Sequence, residues 1–115
     1  MTSQDIIERV KKALPNIPFD DEYIRKLIYD CDRHLRIEIA EEKTGNINLY
    51  PLQTLMAPEP YDRIYELYAI AMIQFALGEY DKYNNTASAY ADEKEKFAKY
   101  YIRNNRPEGR TIKVW

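Results

Sequence analysis

The stretch LYAIAMIQFALG, Leu67 to Gly78, decides the fold. Its ten apolar residues are broken only by Gln74, too long a run for a single strand, and its Ala and Leu content favours a helix. A helix apolar on nearly every side belongs at the centre of a domain. Pro60 suits a first helical turn and Gly78 can take the left-handed conformation that ends a helix, so the pattern predicts a central helix over Tyr61 to Leu77. Beyond Gly78, Tyr80, Tyr83, Ala87, Tyr90, Lys94, Phe97 and Tyr101 recur in steps of three and four. That spacing gives one seam along a second long helix and leaves Asp92, Glu93, Glu95 and Lys96 toward solvent. The two helices form a hairpin about Gly78.

Toward the N-terminus, residues 46–60 carry no helical period. Pro51, Pro58 and Pro60 break it, while Leu49, Tyr50, Leu52, Leu55 and Met56 are unusually apolar for a connection. Such a loop is expected to be ordered by packing or by a partner. Before it, Asp20 and Asp21 offer a cap, and Tyr23, Ile24, Leu27, Ile28, Cys31, Leu35 and Ile39 form an apolar stripe as far as Thr44-Gly45. A shorter helix begins at Ser3, with Ile6, Ile7, Val10 and Leu14 on one face, and stops at Pro15. The fold class expected is all-α, a four-helix bundle with a long ordered loop between the second and third helices. Residues 1–103 form the helical domain and residues 104–115 an extended C-terminal arm.

Composition agrees. Thirteen Ile and eight Leu stand against two Val, with three Gly, in a chain of 115 residues sized for one domain. Seventeen Lys and Arg against nineteen Asp and Glu leave a net charge of −2, which excludes a dedicated nucleic-acid binder. Neither a span of roughly 18 apolar residues nor a signal-peptide pattern is present, so a soluble cytosolic product with no membrane contact is expected. Tyrosine, at eleven residues, is enriched at protein interfaces, where its ring packs and its hydroxyl finds a partner.

Chemistry-bearing motifs are few. Cys31 and His34 stand three apart on the second helix, but two ligands without a third underspecify zinc, and a cysteine in an apolar stripe behaves as a small hydrophobe. The carboxylate pairs Asp20-Asp21 and Glu41-Glu42 lie at helix ends or in charged runs, where nothing raises a pKa for acid or base work. Glycines at 45, 78 and 109 only cannot build a phosphate loop or dinucleotide fingerprint. The chain is expected to be neither an enzyme nor a carrier of any metal or cofactor. Ala76 to Lys82 resembles the turn of a tetratricopeptide repeat, yet the period of about 34 residues does not recur. That hairpin supports an alternative function, a small helical interaction or regulatory module.

The C-terminal stretch differs from the body. From Arg103 onward, Arg103, Arg106, Arg110 and Lys113 against Glu108 give +3, leaving −5 of the total −2 for the rest of the chain. Thr111 to Trp115 alternates like a strand with no partner nearby. An arm of this kind docks through Ile112, Val114 and Trp115, steered by Arg106 and Arg110 onto an acidic surface. With Tyr50, Leu52, Leu55 and Met56 of the loop, these residues make up the expected protein interface.

The run Ala57-Pro58-Glu59-Pro60-Tyr61-Asp62-Arg63-Ile64-Tyr65, continuing through Ala71 to Asn85, resembles the head-tail connector (head completion or adaptor) proteins of tailed bacteriophages. The likeness covers roughly residues 55 to 107, including Tyr100-Tyr101 and Asn105-Arg106-Pro107. It departs from the family in the fourth helix, where Thr86 to Tyr90 and the charged run Asp92 to Lys96 replace a more Asn- and Ala-rich pattern. The resemblance implies a virion structural protein that forms a homo-oligomeric ring between the portal protein and a tail-side connector or stopper protein. DNA would pass through such a ring without sequence-specific binding. Asn84 and Asn85 are expected either to bond to helix three or a neighbouring subunit, or to cap the core.

Overall fold

A computed structural model describes residues 3–39 and 55–105. Among these the chain is all-helical, with α1 at Ser3–Ala13, α2 at Asp21–Glu38, α3 at Arg63–Ala76 and α4 at Tyr80–Asn105. Helix α4 continues two residues past the boundary drawn at residue 103, and the arm beyond it lies outside the described residues, as does most of the connection between α2 and α3.

Each helix follows from local chemistry. In α1, Ile6, Ile7 and Val10 recur on one face and are buried. After its last turn Asn16 takes a positive φ of 67°, which asparagine tolerates better than most residues. Helix α2 begins where the Asp20 carboxylate accepts the Tyr23 N–H at 2.9 Å, satisfying one of the free amides of the first turn. The Phe19 and Tyr23 rings stack across this start, 4.4 Å between centroids. Burial of Ile24, Ile28, Cys31 and Leu35 follows the stripe read from the sequence.

Helix α3 packs against each of the other three, the central place its composition demands. It starts later than expected. Pro60 follows a cis peptide bond with Glu59 in the turn before the helix, and the first helical residue is Arg63. Asp62, at the cap position, makes no capping bond; its carboxylate instead accepts from Arg9 Nη2 at 2.7 Å, tying α1 to the start of α3. The α3 C-terminus closes as a Schellman motif. Glu79 N–H donates to Gln74 O at 2.9 Å and Gly78 N–H to Phe75 O at 3.1 Å, with Gly78 at φ 78°. Without a Cβ, glycine adopts that conformation at little steric cost.

From there α4 returns along α3 through aromatic contacts. Tyr68 meets Tyr90 at 5.6 Å, and Tyr61 meets Phe97 at 5.8 Å and Tyr100 at 4.7 Å. Phe97 is buried, while Tyr90, Tyr100 and Tyr101 are half-covered against the same core. An ion pair between Lys94 and Glu38 links α4 to α2.

Candidate interaction site

The most constrained polar group lies on α2, among the apolar residues. Asp32 is fully buried. Its Oδ1 accepts the Tyr65 hydroxyl at 2.6 Å and the Met56 N–H at 2.7 Å, and its Oδ2 accepts Arg36 Nε at 2.8 Å. The Tyr65 oxygen in turn accepts the Ala57 N–H at 2.8 Å. One carboxylate and one phenol thus hold two successive amides of the segment that re-enters the core ahead of α3. Burial, together with the adjacent Asp32 charge and its hydrogen bond, pushes the Tyr65 phenol far above its ordinary range. A buried carboxylate is tolerable here because its acceptor capacity is filled by donors, one of them cationic.

A second cluster, built on Asp30 two residues earlier in α2 and Tyr68 three residues later in α3, lies nearer to solvent. Asp30 accepts the Tyr68 hydroxyl at 2.6 Å and Arg33 Nη2 at 2.8 Å, with His34 Nε2 at 3.5 Å. Partial burial works against the Asp30 charge, but the bonds from Tyr68 and Arg33 outweigh it and hold the carboxyl below its ordinary pKa. Cys31 and His34 do not converge. The thiol is buried and paired with Tyr90, and burial pushes its pKa well up, whereas the imidazole is part-exposed beside Asp30 and Tyr68. Among the described residues no group of three or more His, Cys, Asp or Glu is arranged to hold a metal ion, and no helix is long and apolar enough to cross a membrane.

Of the expected interface residues, Leu55 and Met56 are half-buried and pack against the protein's own core, held there by the Asp32 bond to Met56. Tyr50, Leu52, Arg106, Arg110, Ile112, Val114 and Trp115 lie outside the described residues. Asn84 and Asn85 are exposed early in α4 and cap no core.

An apolar surface that the sequence assigns to the interior stands instead at the α3–α4 turn. Every residue from Phe75 to Lys82 is exposed, with Phe75 at 53%, Leu77 at 42% and Tyr80 at 57%. The Phe75 ring lies 5.5 Å from that of Tyr80 and 5.2 Å from that of Tyr83, so the aromatic groups form one cluster rather than scattered side chains. Hydrophobicity alone could not reveal it, because Phe75 and Leu77 continue the buried run of α3. Among the described residues, a polar pin fixes the hairpin's base and an apolar tip is left uncovered. No protein-family model matches the chain, and no curated protein or solved structure is significantly similar to it.

Proposed function

We propose that this protein is a virion structural subunit, a head-tail connector of a tailed bacteriophage that assembles as a ring between portal and tail. The observation that carries the reading is the Ala57–Asn85 run. The residues that resemble the connector family are those that build the pinned entry at Ala57, the whole of α3, the exposed turn and the start of α4. A ring requires two different surfaces on each subunit that meet heterologously and close. The uncovered tip supplies one of them, and the loop containing Tyr50 and Leu52, or the arm after α4, supplies the other. In this reading the four helices form a bundle, the loop is ordered at the subunit boundary, and the arm docks on a neighbour. DNA slides through the channel because a near-neutral wall does not grip phosphates.

Mixing the purified chain with portal protein and imaging the product tests this. A closed ring seated on the portal is expected; a chain that stays monomeric and fails to bind portal at tens of micromolar, an affinity on the order of the weakest specific complexes, sinks the reading. The exposed Phe75–Tyr80 cluster favours one alternative, a monomeric helical interaction module that uses the same tip. Light scattering separates the two, since a module of that kind keeps the mass of one chain.

A further inference from the structure

The tip and the C-terminal segment are at opposite ends of the same helix. From Tyr83, at the near edge of the aromatic cluster, to Asn105, α4 rises about 33 Å. Ile112 and Val114 follow Asn105 by seven and nine residues, so a fully straightened chain carries them at most about 25 and 32 Å. Neither can lie over Phe75 or Tyr80 of its own chain, and Trp115, ten residues on and at most about 36 Å away, reaches no further than the near edge of the cluster at Tyr83. Charge adds a second constraint. Glu79, Asp81 and Lys82 flank the tip, exposed and without an ion-pair partner among the described residues, a net charge of −1, and Arg106, Arg110 and Lys113 accompany the apolar residues of the C-terminal segment.

We infer that the α3–α4 tip, Phe75, Leu77, Tyr80 and Tyr83, is the docking site for residues Arg110 to Trp115 of a second copy of this chain. The apolar residues of the segment cover the aromatic cluster, and its basic residues pair with Glu79 and Asp81. Because tip and segment are different surfaces, the contact runs head to tail and each copy keeps one free end for the next. The inference deepens the proposed ring by naming its subunit contact, but self-association by this route needs no portal.

Trp115 is the single tryptophan, so its fluorescence, excited selectively over tyrosine, reports the docking directly in the full chain. Emission should move to shorter wavelength as protein concentration rises and return on dilution. In the Phe75→Ser, Tyr80→Ser double variant the concentration needed for the shift should rise on the order of tenfold or more. Both residues are exposed, so the variant should keep its helical circular dichroism. Glu79→Lys with Asp81→Lys provides a second variant that leaves the apolar cluster intact, and it should weaken the shift and remove its salt dependence. Mixing a Leu77→Cys chain with a Val114→Cys chain under oxidation should trap the mixed disulfide. Emission independent of concentration, a shift unchanged in both tip variants, or trapping confined to Leu77→Cys with itself would overturn the inference. A chain that self-associates through the tip yet ignores portal sinks the connector reading alone. One that binds portal without any tip-dependent shift sinks the docking inference alone.

Discussion

Replacing Tyr65 by Phe removes one oxygen atom and leaves the ring, so little packing is lost and the change isolates the buried polar pin. The hydroxyl donates to the Asp32 carboxylate at 2.6 Å and accepts from the Ala57 N–H at 2.8 Å, and Tyr65, Asp32 and Ala57 are all fully buried. A hydrogen bond to a charged group contributes about 1.5–3 kcal/mol, and a buried N–H left without an acceptor costs about 1–3 kcal/mol. Asp32 itself stays satisfied by Met56 N–H and Arg36, which keeps the expected loss near the lower half of the sum, about 3–4 kcal/mol. Against a typical domain stability of about 5–15 kcal/mol that is a large fraction. Tyr68→Phe is the internal control: its hydroxyl bonds a half-exposed carboxylate that water can reach, and the loss should stay near 1 kcal/mol. Urea unfolding followed by far-ultraviolet circular dichroism measures both, and hydrogen exchange at the Met56 and Ala57 amides locates the effect. If Tyr65→Phe unfolds within about 0.5 kcal/mol of the native chain, the scatter of an ordinary surface change, and the Ala57 amide stays as protected as before, the pin does not hold the segment and the reasoning fails.

Three further outcomes follow from the same geometry. Gly78→Ala should destabilise by about 1 kcal/mol through the left-handed φ alone, because an added Cβ meets no atom within 4 Å, and Gly78→Asn should cost less; thermal melts compare them. Gln74 Oε1 is buried without a hydrogen-bond partner among the described residues, so Gln74→Leu should be neutral or stabilising by up to about 1 kcal/mol in urea, and a clear loss would mean the amide is satisfied. Alkali should destabilise the fold: burial raises Cys31 above 9.0 and Tyr65, Tyr68 and Tyr90 above 10.0, so the unfolded chain releases protons that the folded chain retains. Their stabilisation is complete below about pH 9 and falls as pH rises beyond it, and urea midpoints from pH 8 to 11 in Tyr65→Phe should decline less steeply than in the native chain.

Elements governed by local rules were legible from sequence. The α2 cap at Asp20, its apolar stripe and the Gly78 turn each depend on residues within one helical turn of one another. Asp32 has a legible position, four residues after Ile28 and three before Leu35 on the buried face, and only its polar side chain disguises it. What completes it, Tyr65, lies 33 residues away, and no spacing rule links the two. The start of α3 lies later than its local sequence indicates for a related reason. Asp62 has the chemistry of a cap, but Arg9 of α1 claims its carboxylate, and a contact across 53 residues leaves no local trace. The tip departs from its sequence pattern in the opposite direction. Periodicity identifies which residues could be buried, whereas burial also requires another element to lie over them, and neither α1 nor α2 covers the last turn of α3.

A buried carboxylate is a costly way to hold two helices together, since an apolar pair of the same volume commonly stabilises as well or better. What Asp32 and Tyr65 supply that an apolar pair cannot is direction. Two adjacent N–H groups, those of Met56 and Ala57, enter the core outside any helix, and the carboxylate and phenol oxygens that accept them fix the register at which the chain turns into α3. From that fixed base the aromatic contacts run up the hairpin, Tyr61 with Phe97, Tyr68 with Tyr90, Phe75 with Tyr83. The tip is therefore carried on a stiff support, and a partner that covers it orders few additional residues on binding, which is the condition under which a small apolar patch can sustain a specific contact.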